Sequence, residues 1–475
     1  MSPTLSIVWF RQDLRLRDNP ALTAAAGHGR ILPVYILDDA NPGEWRPGAA
    51  SRWWLQQSLA ALDASLDGKL WLLTGDPLEL LPQLAARHGA THVFWNRCYE
   101  PWHVRRDRQL KQVLTHDGLT VTSSNGSLIW EPWTSLKDDG TPYRVFTPFY
   151  RNARGNCAAP GEPLQKPRNL ALADCPQGAD KLARLDLMPG IRWYDGLATN
   201  WTPGEDGAHN KLRYFLEHGL ADYKDGRDFP ARRAVSRLSP HLHFGEVSPT
   251  QAWQAAARRG AQDGREQATE HFQRELAWRE FSYSLLYHFP QLTNRNMNER
   301  FDAFPWTREK KLLQAWQRGE TGLPLVDAGM RELWETGYMH NRVRMVVGSF
   351  LVKNLLHHWL DGARWFWDTL VDADLANNTA SWQWVAGCGA DAAPYFRIFN
   401  PVTQSQRFDP DGDYIRRFVP ELKDLPARYI HEPSKVPAGV LSEAGVVLGK
   451  NYPKPVVSLS QTRERALEAY QRIKG

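Results

Sequence analysis

Short apolar runs alternate with amphipathic stretches through the first 125 residues. Residues 5–9, 31–36, 70–73, 91–95 and 119–122 predict strands, and residues 19–26, 50–64, 77–88 and 104–114 predict helices between them. Strict alternation of this kind implies a parallel sheet with helices on both faces. From about residue 206 the strand signals fade and apolar residues recur every three or four positions. The clearest case is Val343, Val346, Val347, Phe350, Leu351 and Leu355, which predicts one helix over 343–359. Between the two regimes the rhythm is lost. Pro160, Pro163, Pro167, Pro176, Pro189 and Pro203 fall there, and a long connection crossing the surface is expected.

The first strand runs into Phe10–Arg11–Gln12–Asp13 where a dinucleotide fold carries G-x-G-x-x-G. The expected architecture is therefore an α/β, Rossmann-like N-terminal domain over 1–130 that lacks the Rossmann phosphate site. An interdomain connection over 131–205 and a larger all-α C-terminal domain over 206–475 follow. A chain of 475 residues is long enough for about three such units. No internal repeat or low-complexity tract interrupts them.

Composition narrows the setting. No apolar run approaches the ~20 residues that span a bilayer, and Met1–Phe10 lacks the pattern of a secretory leader, so no membrane partner is expected. Cys98, Cys157, Cys175 and Cys388 lie far apart with no C-x-x-C pair. A disulfide framework or cysteine zinc site is not expected, no metal is assigned, and a reducing cytoplasm fits. A net charge of +5 permits a nucleic-acid partner without establishing one. The outlier is tryptophan, at 21 residues, which raises stacking or redox roles beyond core filling.

Candidate chemistry gathers in a few dense segments: Trp9–Arg15, Ser236–Ser239, Trp278–Phe281, His340–Met345, and Asp372–Asn378 with Trp382–Trp384 after it. Singly, each has a plain explanation. Asp372, Asp374, Asn377 and Asn378 read as a capped helix start, or as a calcium loop without its Gly and terminal Glu. Ser236–Ser239 is turn material, a lone indole fills a core, and a lone Arg is a solvated charge. Together and in this order they resemble the photolyase/cryptochrome family of light-driven flavoproteins. The resemblance runs from Val8 to about Pro420 and is nearly unbroken over 337–344 and 389–401.

The resemblance implies FAD, reduced in its active form, held by Tyr223, Val235, Ser236, Arg237, Leu238, Ser239, Arg279, Asn341, Arg344, Asp372, Asp374 and Asn378. Val235 stands where many members have Thr. Asp372 pairs with Arg344 beside the isoalloxazine, and Asn378 faces flavin N5. A carboxamide bonds N5–H without readily exchanging a proton, whereas plant-type cryptochromes carry an acid there. Trp382, Trp359 and Trp306 match an electron-hopping chain to the surface, while Trp365 and Trp367 take the core reading. Trp382 and Trp384 point about 200° apart on a helix, so one can line the cofactor side while the other faces a substrate cavity.

Glu275, Trp278, Asn341, Arg342, Met345, Trp384, Arg397 and Gln404 match positions that meet UV-damaged DNA. Met345 stands where relatives acting on (6-4) photoproducts differ, and His340 is read as structural. A second chromophore is implied in the α/β domain. Trp102 and His103 depart from the best-known folate pattern, but 38–45 with 96–102 resembles members closer to plant cryptochromes. There Glu44 can pair with a pterin and Trp45 can stack on it, although a surface loop explains both residues equally. Methenyltetrahydrofolate is favoured over deazaflavin. The implied activity is light-driven repair of cyclobutane pyrimidine dimers by a cytoplasmic monomer. The alternative is a cryptochrome-type photoreceptor, against which stand both substrate tryptophans and the lack of a long tail after the last helix. A dark flavin oxidoreductase lacks any recognisable nicotinamide site.

Overall fold

The computed structural model describes residues 4–178, 180–392 and 396–474. Residues 1–3 of the stretch read for a leader, residues 393–395 of the 389–401 motif, and Gly475 lie outside the described residues. The strands are β1 (Leu5–Phe10), β2 (Arg30–Leu37), β3 (Trp71–Thr74), β4 (Ala90–Asn96) and β5 (Thr120–Ser124), in the order β3-β2-β1-β4-β5. All pairs are parallel. Central β1 is buried on both faces from Ser6 to Phe10, which is why its apolar run is continuous and not alternating.

The crossover helices are α1 (Pro20–Ala26), α2 (Ala49–Ser65), α3 (Pro77–His88) and α4 (Pro101–His116). Asn19 and Asp76 cap α1 and α3 through their side chains, with Pro in the first turn of each. The strand order reverses beside β1, where open α/β sheets usually bind ligands. Here side chains fill that crevice. The Arg11 and Arg106 guanidinium carbons lie 4.5 and 4.7 Å from the Trp9 ring, and Asp107 pairs with both arginines. The missing glycine-rich turn is thus matched by a packed crevice.

One expectation is refined and one is corrected. The connection runs over the surface at residues 157–172, none of them buried, and is also stitched into the protein on either side. Its helix α5 (Phe146–Asn156) buries Phe146 flat against Trp278, with ring centroids 3.8 Å apart and planes within 8°. Further on, Ala173 N–H donates to Ile31 O of β2 at 2.7 Å. The single helix expected over 343–359 is broken. It runs as Asn341–Ser349, continues as a π-turn over Phe350–Asn354, and restarts as Trp359–Thr369. Leu356 adopts φ +54°, and His358 caps the new helix by accepting from Leu360 N–H at 3.2 Å. The apolar spacing persists because both pieces face the same core.

The α/β half and the helical half share a buried polar seam. Trp54 Nε1 donates to Glu246 at 3.0 Å, Leu14 N–H donates to Phe244 O at 3.1 Å, and Arg15 donates to Gly245 O at 2.8 Å. Among the described residues, no helix is long and apolar enough to cross a membrane.

Candidate active site

A cavity of about 710 Å³ opens between the helices Glu266–His288, Asn341–Ser349 and Leu375–Ala386 and the segment 235–243. That volume lies within the ~300–1,000 Å³ of small-molecule sites. Helix starts supply much of its polar chemistry. Asp374 is the N-cap of Leu375–Ala386, accepting from Asn377 N–H at 2.8 Å and from Asn377 Nδ2 at 2.7 Å. It also accepts from Tyr283 and His243. Burial pushes the Asp374 carboxyl up, but the hydrogen bond and charge of His243, with Arg279 nearby, outweigh it and hold the group well below the usual carboxylate range.

Asp374 therefore stabilises the fold as an anion. Its folded pKa is depressed, so the contribution is complete above the unfolded value of about 4 and is lost as pH falls further. Asp374→Asn keeps a capping side chain but not the charge. It is expected to cost about 1–3 kcal/mol near neutrality. Thermal melts from about pH 7 to pH 3 should show the gap to wild type narrowing below about pH 4.

Beside Asp374, Asp372 is clamped from two directions. Arg344 Nη2 reaches its oxygens at 2.8 and 3.0 Å, and Ser239 Oγ donates to it at 2.6 Å. Arg344 is itself fixed by Nε donating to Met339 O at 2.7 Å. Arg237 has the left-handed φ of +52°, a costly conformation for a non-glycine residue. Its guanidinium carbon lies 4.5 Å from the Trp201 ring and 4.7 Å from Tyr338. The residue lines the cavity, and its Nε and Nη2 are buried without a hydrogen-bond partner. Unpaired buried donors of this kind await an acceptor. Asn378 Nδ2 donates to Ala363 O at 3.0 Å, which leaves the amide oxygen for a ligand N–H.

Every residue expected to hold the flavin lines this cavity, as do Glu275, Trp278, Arg342, Met345, Trp382 and Trp384. Trp382 and Trp384 both line this one cavity. Among the described residues, Trp306, Trp359, Arg397 and Gln404 stand outside its wall. Trp359 is fully buried, with Nε1 donating to Asn296 at 2.8 Å, and half-buried Trp306 donates to Phe301 O at 3.1 Å. The His358 ring lies between those two indoles, 5.0 Å from Trp306 and 5.5 Å from Trp359. Arg397 is exposed, and the Gln404 side-chain oxygen is buried without a partner.

His340 is the N-cap of Asn341–Ser349, accepting from Arg342 N–H at 3.2 Å, and burial holds its pKa down at about 4. A neutral capping imidazole agrees with the structural reading. Trp365 and Trp367 sit at the core edge: Trp365 stacks on half-exposed Trp334, and Trp367 donates to Arg46 O. At the implied antenna site, exposed Glu44 pairs with Arg364 at 3.0 Å. Trp45 is buried edge-on to Trp367 at 5.4 Å, so a surface loop accounts for Glu44 but not for Trp45. The indole N–H groups of Trp45 and Trp102 are buried and unpartnered.

Three contributors escaped sequence reasoning. Phe146 backs Trp278 from inside the supposed connection. Arg227 and Asp228 line the cavity and hold Glu275 and Arg342 respectively. The two adjacent opposite charges just past Tyr223 were the available signal.

Comparison with known proteins agrees with this geometry. The family model described as DNA photolyase matches residues 6–168, and the one described as FAD binding domain of DNA photolyase matches 272–472. A deoxyribodipyrimidine photo-lyase of Agrobacterium fabrum is 50% identical over 474 residues, covering 98% of each chain. The chain belongs to the DNA photolyase family. The crystal structure of a class III photolyase from Agrobacterium tumefaciens superposes with a TM-score of 0.95 at 49% identity, covering 100% of this chain and 98% of that one. Cryptochrome-1 of Arabidopsis thaliana is 38% identical over 98% of this chain and 70% of its own length. The photolyase family therefore accounts for both halves of the chain and for the cavity in the second.

Proposed function

We propose that this protein is a deoxyribodipyrimidine photo-lyase that repairs cyclobutane pyrimidine dimers in UV-damaged DNA using light. The observation that carries the reading is one cavity that combines a flavin-type polar floor with two indoles, Trp278 and Trp384. FAD suits the floor. The unpartnered Arg237 donors match phosphate oxygens, and the Arg344–Asp372 pair presents a fixed polar edge to a planar ring. When bound, reduced and excited by light, FAD supplies an electron that opens the two cyclobutane C–C bonds and receives it back, so no net redox change results.

The chain's own residues do the positioning. Asn378 offers a carbonyl oxygen toward a flavin N–H without an exchangeable proton of its own, which favours the reduced state. Trp278, stiffened by Phe146, and Trp384 provide flat apolar walls for a flipped-out dimer. Met345 adds apolar surface, and Glu275 and Asn341 offer hydrogen bonds to base edges that stacking alone leaves unsatisfied. Arg342, Arg397 and Gln404 meet the backbone. Trp382, Trp359 and Trp306 carry electrons inward when FAD must be reduced.

We assign residues 1–130 to antenna binding, 131–205 to the connection, and 206–475 to FAD and DNA. The sheet lying within the first span and the cavity within the last support this division. Methenyltetrahydrofolate is our choice of second chromophore, supported by the unpartnered indole N–H groups of Trp45 and Trp102. Four free cysteines suit a reducing cytoplasm, and we take the protein to act there as a monomer.

Purified protein is expected to release about one FAD per chain on denaturation. Arg344→Ala, which leaves Asp372 without its cation, is expected to lose most of it. For the activity itself, reduced protein illuminated with dimer-containing oligonucleotide should restore the ultraviolet absorbance of the pyrimidine double bonds. No recovery in the light would refute the reading.

A further inference from the structure

At the cavity rim the adjacent residues Arg227 and Asp228 follow the short helix Tyr223–Gly226. Each holds a group of opposite charge from another element. Arg227 Nη1 donates to Glu275 Oε1, and Asp228 Oδ2 forms an ion pair with Arg342 Nη2 at 2.8 Å. The two captured groups are those assigned above to a base edge and to a phosphate. The free protein therefore presents these two DNA-facing charges already neutralised.

Orientation does not require Asp228. The Arg342 guanidinium carbon lies 4.3 Å from the Phe408 ring, and the side chain is 17% exposed, so stacking and packing fix its direction. Asp228 is 37% exposed and reaches water readily once released. What Asp228 supplies is charge compensation at a group already in place.

We propose that Asp228 limits the affinity of this protein for nucleic acid by competing with a DNA phosphate for Arg342. The inference rests on the phosphate-binding role assigned to Arg342. A phosphate that captures Arg342 replaces one anion by another, and the gain is nearly cancelled. Ion release is cancelled too. Each phosphate neutralised by a protein cation normally adds about 0.9 to the salt slope. Here the uncovered Asp228 takes a cation back, so this contact contributes little to the slope. The device keeps the enzyme from being held on intact duplex, whose contacts are to phosphate alone, while the lesion pocket adds stacking that Asp228 does not oppose.

The test uses FAD-loaded protein in the dark, titrated with intact and single-dimer duplexes over a series of salt concentrations. Asp228→Asn is expected to tighten both duplexes by about 3- to 10-fold and to steepen the salt slope by about 0.9. Asp228→Glu should behave as wild type. Removing any acidic charge near DNA raises affinity somewhat, so the deciding comparison is the double variant. With Arg342→Ala already present, Asp228→Asn should keep only that general part, a small fraction of the gain seen with Arg342 in place. An equal gain in that background, or no gain in the wild-type background, overturns the competition. If Arg342→Ala made in the Asp228→Asn protein leaves affinity and slope unchanged, the phosphate role itself fails, a separate result. Retained flavin absorbance in each variant shows that the site is intact.

Discussion

Trp306→Phe is expected to abolish light-driven reduction of oxidised FAD while chemically reduced enzyme continues to repair. Trp382 lines the cavity, Trp359 is fully buried and Trp306 is half-buried. In the route proposed above the electron enters at Trp306, which an external reductant can refill, and ends at Trp382. Phenylalanine resembles indole in packing but is far harder to oxidise, so the substitution interrupts electron flow without emptying the site. It also removes the bond from Trp306 Nε1 to Phe301 O, worth about 0.5–1.5 kcal/mol, too little to unfold the domain. Flavin absorbance under blue light with a thiol reductant reads the effect. Photoreduction at the wild-type rate would mean that electrons enter by another route.

The second large effect is expected at the substrate wall. A cyclobutane dimer stacks poorly in its duplex, so extruding it costs less than extruding an intact pair. The cavity must then replace the lost stacking, and Trp278 is built for this. Phe146 lies flat against it at 3.8 Å, which fixes the indole plane before substrate arrives. Trp278→Ala removes the wall and leaves Phe146 one residue deeper. Loss of one base–aromatic stack is worth about 1–3 kcal/mol, a roughly 5- to 150-fold fall in lesion affinity. Affinity for intact duplex, which reaches the protein through phosphates, should stay near wild type. Competition binding in the dark measures both, and a parallel loss on the two duplexes would remove Trp278 from the lesion pocket.

Much of this organisation is legible in the chain, for physical reasons. Strands of a parallel sheet that are buried on both faces write continuous apolar runs, as β1 and β2 do, and β1 to β5 begin or end within a few residues of the segments that predict them. Helix starts are equally legible where a short polar side chain caps them, as at Asp374. The break within 343–359 is not. Lys353 and Asn354 are buried with their apolar neighbours, so the period persists through a π-turn that only backbone geometry distinguishes.

The cavity floor was readable because Asp372, Asp374 and Asn378 fall within seven residues in one motif. The rim was not, because its pairs join residues far apart: Arg227 to Glu275 and Asp228 to Arg342. Phe146 was hidden by its setting, a helix inside a proline-marked stretch that reads as linker. Long-range partners of single charges or rings leave no local pattern.

The account stands most directly on the fate of a duplex carrying one cyclobutane dimer, bound in competition with its undamaged copy and then exposed to blue light. Light-driven repair requires tight, dimer-selective binding in the dark and loss of the dimer only on illumination, with FAD unchanged in redox state at the end. Equal affinity for damaged and intact duplex, with every dimer surviving the light, would contradict it and leave a photoreceptor in its place.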